Sequence, residues 1–255
     1  MIEVHRISKA FGGIRAVDDC SLEIPSRRIT GLIGPNGAGK STLFNIIAGA
    51  LTPDAGQVRL EGEDVTGLAP HRRFGRGLAR TFQLPHEFAR MTVRENLMVV
   101  PAGQSGERLL AAWLAPRSVA REERALAAKA DEVLEFLQIA PLADEPAGNL
   151  SGGQKKLLEL GRVMMAEPKV ALLDEPGAGV NPTLLRKLIE AIRRLNVERG
   201  YTFCIIEHDM DLVARLCDPI IVMAQGRVLA RGSMDEVRRN PAVREAYLGG
   251  TLEAA

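Results

Sequence analysis

The chain has 255 residues, 46% of them hydrophobic and 25% charged, with a formal net charge of +1. That length supports a substantial core as one large domain or two small ones, and the charge balance lacks the basic bias expected of a nucleic-acid binder. The three cysteines, Cys20, Cys204 and Cys217, are odd in number and lack CxxC spacing, which argues against a disulfide scaffold and fits reduced thiols in a cytosolic compartment.

The opening "MIEVHRISKAFGG" mixes charged and apolar residues and does not read as a signal peptide. No apolar run is long enough for a membrane-spanning helix, so any membrane process would need another chain to do the spanning. "IEVHRI" and "CSLEI" alternate and predict antiparallel strands. "RITGLIG" predicts a buried strand, "STLFNIIAGAL" a helix closing on Gly49, and "GQVRLEGEDV" a further alternating strand. From about Glu87 the pattern is helical. Thr92 and Glu95 have capping-box spacing, and Leu126, Ala130, Val133, Leu134 and Leu137 keep helical spacing. The last third alternates strand and helix: "VALLD", "TLLRKLIEAIRRL", "FCIIE", "DMDLVARLC", then strands "PIIVMA" and "RVLARG", with a final helix opened by Ser233 and Glu236. This pattern predicts an α/β fold: a mixed, mainly parallel core sheet, an antiparallel β subdomain and an α-helical insertion subdomain. Residues 1–86 and 166–255 form the expected nucleotide-binding core, and 87–165 the helical subdomain.

Gly34 to Ser41 fits G-x-x-x-x-G-K-[ST] between a predicted strand and helix, the context of a P-loop. Glycines let backbone N–H groups curl around phosphate oxygens, and the helix N-terminus favours an anion. Lys40 is expected on the β- and γ-phosphates, and the Ser41 hydroxyl on Mg²⁺. "VALLDE" would place Asp174 at the carboxyl edge of the sheet to hold the metal's water shell, with Glu175 orienting or deprotonating the attacking water. His208, after the next strand, is positioned either to sense a γ-phosphate or to serve as a hydrogen-bonded structural residue. Gln83 in "RTFQ" carries an amide able to contact metal and water, though a polar loop residue would look the same. Phe11, in "KAFGGI", is placed to stack on adenine or to pack in the core.

"LSGGQ", residues 150–154, has Ser151 and Gln154 at capping-box spacing. Its two glycines are poor first-turn residues, each about 1 kcal/mol worse than alanine in a helix, and they permit close backbone approach by something else. A second anion site on a separate subdomain is most simply explained by a dimer in which this segment completes the partner's ATP site.

Taken in order, the P-loop, "RTFQ", "LSGGQ", "VALLDE" and His208 resemble the ATP-binding subunit of ABC transporters over nearly the whole chain. The resemblance implies that Phe11 stacks adenine, that Gln83 couples the metal to a membrane partner, and that His208 contacts the γ-phosphate. It further implies a head-to-tail dimer with two sandwiched ATPs. The implied nucleotide-binding residues are Phe11, Val17, Asn36, Gly37, Ala38, Gly39, Lys40, Ser41 and Thr42, with Ser151, Gly152, Gly153 and Gln154 acting on the facing ATP. Ser41, Gln83 and Asp174 are the implied Mg²⁺ residues, and Glu175, His208, Gln83 and Lys40 the implied catalytic ones. "FGGIRAVDD", "LFNIIAG", "IEHDMDLV" and "NPAVREAYLGG" look like the branched-chain amino-acid importer ATPases, specifically the longer of their two ATP-binding subunits. The short tail after Gly232 fits, leaving no room for an added regulatory domain.

Implied partners are two transmembrane permease subunits, a second ATPase subunit that is the same chain or a sister, and, indirectly, an external solute-binding protein, with no nucleic acid. The implied location is the cytoplasmic face of the membrane. A urea or short-amide importer, a lipopolysaccharide or lipid exporter, and a soluble ABC ATPase share the catalytic parts. Asn181 stands where many ABC ATPases carry Asp, Ser41 replaces the commoner Thr, and Phe11 the commoner Tyr. Leu109, Leu110, Trp113 and Leu114 are expected to pack within the helical subdomain rather than to face a permease or lipid.

Overall fold

The computed structural model describes residues 1–81, 87–107 and 113–249. They fall into two compact units. The first comprises Met1–Gln83, Pro168–Gly177 and Ile192–Ala255. Its antiparallel sheet contains β1 (Ile2–Phe11), β2 (Ile14–Ile24), β4 (Ala55–Leu60) and β5 (Glu63–Asp64), in the order β2-β1-β4-β5. The second sheet contains β3 (Ile29–Ile33), β6 (Leu78–Arg80), β7 (Val170–Asp174), β8 (Thr202–Ile206), β9 (Ile220–Ala224) and β10 (Arg227–Gly232). Its order is β10-β9-β3-β8-β7-β6, parallel throughout except for the terminal β9–β10 hairpin. Every residue of β3, β7 and β8 is buried, as a parallel strand covered on both faces requires. Leu43, Phe44, Ile46 and Ile47 of α1 (Lys40–Ala48) share one hydrophobic cluster with residues of both sheets.

The stretch predicted as one strand, "GQVRLEGEDV", is instead the hairpin β4–β5. Glu61 (φ 53°) and Gly62 (φ 84°) both take left-handed conformations at the two-residue turn, which suits the twist of paired strands. After α2 (Pro70–Phe74) is formed, Arg73 lies fully buried and donates to the carbonyls of Ile46, Ile47, Thr66 and Leu68. A guanidinium therefore satisfies carbonyls at the C-terminal end of α1, where the helix dipole favours a cation. Burial lowers the Arg73 pKa to about 10, opposed by the charge of Asp64.

The second unit comprises Leu84–Glu167 and Ala178–Ala191. Here α3 (Val93–Met98), α4 (Pro116–Phe136) and α5 (Gly152–Ala166) pack on one another. The Thr92–Glu95 capping box opens α3. The Asn96 amide, fully buried, bonds the backbone of Phe88, Met91 and Thr92 and so shapes the segment ahead of that helix. Arg94 pairs with Asp131 and Asp144. Residues 178–191, expected in the core, cluster with this unit because Val180 and Leu184 lie against Gly153. Asn181 Oδ1 accepts from the backbone N–H groups of Thr183 and Leu184 at the start of α6 (Pro182–Arg199), a helix-capping role that asparagine fills as well as aspartate.

Trp113 is 81% and Leu114 71% exposed, which corrects the expectation that they pack within the helical unit. They precede α4, whose buried residues begin only at Ala130. Leu109 and Leu110 lie outside the described residues. The chain continues through α7 (Met210–Leu216), α8 (Met234–Arg239), opened by the Ser233–Glu236 capping box, and α9 (Pro241–Gly249). Among the described residues no helix is long and apolar enough to cross a membrane.

Candidate nucleotide site

β3 delivers the glycine-rich turn, and Gly39 takes φ +93° at the start of α1, where no side chain caps the helix. A Cβ at Gly39 would sit 2.3 Å from the Ala16 carbonyl oxygen, so both conformation and space demand glycine. The uncapped first turn leaves backbone N–H groups facing outward, the arrangement that favours an anion. Lys40 is 6% exposed and its Nζ donates to the carbonyls of Gly34 (2.7 Å) and Pro35 (2.9 Å). Burial holds its pKa below the ordinary lysine value, while Glu175 and Asp174 oppose that shift.

The turn opens into a cavity of about 560 Å³. Asn36, Gly37, Ala38, Gly39, Lys40, Ser41 and Thr42 line it on one side. Glu175, His208, Ile206, Gln225, Ile14, Arg15 and Ala16 supply the remaining walls. Glu175 enters from the end of β7 with φ 48°, its N–H donating to the Ile206 carbonyl. Its Oε1 lies 3.0 Å from His208 Nε2. The cavity thus combines a cationic anion cradle with a carboxylate–imidazole pair, the parts needed to bind a polyphosphate and orient a water beside it.

Asp174 is 5% exposed. Its N–H donates to Thr81 Oγ1, and its Oδ2 lies 3.4 Å from Arg80, whose guanidinium also donates to Asn45 Oδ1 at 2.6 Å. Desolvation pulls the Arg80 pKa down, and Asp174 opposes it. Arg80 sits in "ARTFQ", in the same short segment of sequence as the glutamine singled out above, but its tie to a residue 94 positions away left no local signal. Gln83 lies outside the described residues.

Phe11 is 51% exposed with Lys9 Nζ 5.8 Å from its ring centroid, and it does not line the cavity. Its cross-strand neighbour Ile14, 74% exposed, does. The side chain of Val17, implied by the resemblance to contact nucleotide, is fully buried on β2. Sequence reasoning also missed Arg15, Ala16 and Gln225. Gln225 belongs to the β9–β10 turn, held against the glycine-rich loop by Gly226 N–H to the Ala38 carbonyl.

In the second unit, Ser151 caps α5 reciprocally with Gln154. Ser151 N–H donates to Gln154 Oε1 at 2.8 Å, and Gln154 N–H to Ser151 Oγ at 3.4 Å. A Cβ at Gly153 would lie 2.7 Å from Leu184 Cδ1, so internal packing accounts for that glycine. At Gly152 the nearest atom would be 3.9 Å away, and the residue is exposed.

Residues 17–178 match the family described as ABC transporter. The chain belongs to that family, as an ATP-binding cassette. Residues 227–252 match a second family, described as branched-chain amino acid ATP-binding cassette transporter. The chain is 41% identical over 253 residues to the probable branched-chain amino acid transport ATP-binding protein LivG of Archaeoglobus fulgidus, covering 98% of this chain and 95% of that one. It is 39% identical over 249 residues to the high-affinity branched-chain amino acid transport ATP-binding protein BraF of Pseudomonas aeruginosa, covering 98% of each. Among solved structures it resembles a nucleotide-free ATP-binding cassette (TM-score 0.84, 39% identity, 97% and 98% of the two chains). It also resembles a cassette in its ADP conformation (TM-score 0.82, 38% identity, 98% of each). As a cassette ATPase of this family the chain binds nucleotide and couples its hydrolysis to transport, in the company of membrane permease components and a second cassette.

Proposed function

We propose that this chain hydrolyses MgATP to drive import of branched-chain amino acids through two transmembrane permease subunits, at the cytoplasmic face of the membrane. The observation that carries the hydrolytic part is the single cavity holding the uncapped start of α1, Lys40, Glu175 and His208. The glycine-rich backbone from Asn36 to Thr42 cradles the phosphates, and Lys40, already turned toward the loop carbonyls, exchanges those acceptors for phosphate oxygens. Ser41 and Asp174 offer the hard oxygen donors that suit Mg²⁺, with Gln83 as a third assigned ligand. Among the described residues no cluster of three or more acidic, His or Cys side chains could hold a metal. Mg²⁺, when bound, would supply positive charge against the phosphates. Glu175 orients or deprotonates the attacking water, and His208, within hydrogen-bond reach of Glu175, contacts the γ-phosphate.

Phe11 and the exposed Ile14 bracket the base at the β1–β2 turn. Ser151, Gly152 and Gln154 meet the ATP of a second cassette in a head-to-tail dimer. Relatives named for branched-chain amino acid transport, and the matching C-terminal family segment, support the solute. An external solute-binding protein then contributes only through the permease.

Glu175→Gln should retain ATP binding and accumulate an ATP-dependent dimer on size-exclusion chromatography. A variant that stays monomeric with ATP and Mg²⁺ would remove the dimer assignment. Tagging the chain in its host and solubilising membranes gently should recover two permease chains and a second cassette. Recovery without any membrane protein would overturn the transport assignment.

A further inference from the structure

Glu207 closes β8's run into the His208 loop and is 4% exposed. Its Oε1 accepts from Gly177 N–H at 2.6 Å, and its Oε2 from His208 N–H at 3.2 Å, with Asp209 N–H a third backbone donor. One buried carboxylate therefore bridges the turn that follows Glu175 to the backbone that carries His208. Two further links run in parallel, Glu175 N–H to the Ile206 carbonyl and Glu175 Oε1 to His208 Nε2. We propose that Glu207 is a positioning residue for ATP hydrolysis, fixing the Glu175 turn and the His208 loop in register without touching nucleotide.

Burial pushes the Glu207 carboxyl above its ordinary range, and the three backbone donors pull only part of the way back. The charge thus works against the fold, and hydrophobic packing would serve a merely structural β8 terminus better. A glutamine cannot substitute, because its NH₂ would oppose an N–H donor on one side of the bridge. Because it acts through Glu175 and His208, Glu207 has this role only if their proposed assignment holds, and the controls separate the two.

The test is steady-state ATP hydrolysis by the full chain carrying Glu207→Gln, His208→Ala, both together, or Glu175→Gln. Glu207→Gln should lower kcat by about 10-fold with KM for ATP within about two-fold, in a variant that stays folded at the assay temperature. The double variant should lose less than the product of the two single losses, since Glu207 acts in part through His208. Amide exchange at Gly177 and His208 should accelerate in Glu207→Gln, a readout independent of turnover. Unchanged kcat and unchanged exchange, or a kcat loss that adds fully to that of His208→Ala, would overturn the role of Glu207. Retained turnover in Glu175→Gln would instead overturn the assignment on which it rests.

Discussion

The glycine-bearing starts of α1 and α5 solve the same electrostatic problem in opposite ways. At α1 the N-cap is Gly39, no side chain caps the helix, and a buried lysine stands in the first turn. At α5 the N-cap is Ser151, and Ser151 and Gln154 satisfy each other's backbone donors. The first is an open anion site; the second has already spent part of its donor capacity on itself. Glycine has different reasons in the two places as well. Gly39 is forced by a positive φ and a backbone oxygen, whereas Gly153 makes room for the movable end of Leu184. A "GG" beside a helix start therefore does not by itself mean that a ligand approaches there. At α5 only Gly152 keeps that meaning.

The sharpest way to break this contrast is Lys40→Ala. Turnover should fall by at least about 100-fold, or about 2.7 kcal/mol in the barrier, as measured by steady-state ATPase assay. Gly39→Ala comes next: the added methyl faces the Ala16 backbone at a forbidden φ and should destabilise the chain by more than about 2 kcal/mol in urea denaturation. Gly153→Ala should cost at most about 1 kcal/mol, because Leu184 can shift and the helix gains propensity. If Gly153→Ala were as damaging as Gly39→Ala, the distinction drawn between the two glycines would fail. Ser151→Ala should lose about 1 kcal/mol through the cap.

The smallest effect is the pH dependence of the buried ammonium. The folded pKa of Lys40 lies below its unfolded value, so the unfolded chain binds more protons in the window below the ordinary lysine pKa. Stability tied to this site therefore rises as pH climbs through that window. The wild type should gain on Lys40→Met as pH rises toward the ordinary lysine pKa in parallel urea titrations.

What was legible in the sequence was what depends on near neighbours. The capping boxes at Thr92, Ser151 and Ser233, the apolar β7 ending in Asp174 and the glycine-rich turn after β3 all form where short-range pattern places them. The hairpin turn at Glu61–Gly62 was hidden because alternation continues across it. Arg80 gave no signal, since its acceptors Asn45 and Asp174 lie far along the chain, and Arg73 gave none for the half of its acceptors that belong to α1. Glu207 was in plain view beside His208, but only the tertiary placement of Gly177 gives its carboxylate a second shore to reach.

The strand order carries a consequence for how the protein is made. β3, which presents the glycine-rich turn, is flanked in its sheet by β8 and β9, and its pairing residues, such as Gly31 with Ile205 and Ile220, are synthesised far later. On the ribosome the phosphate loop therefore waits, without a sheet to hold it, until translation has passed beyond Ala224. A truncated product ending before β8 carries the complete loop sequence yet cannot assemble the strand that aims it. Release before β8 then leaves the glycine-rich turn without either of the strands that flank β3.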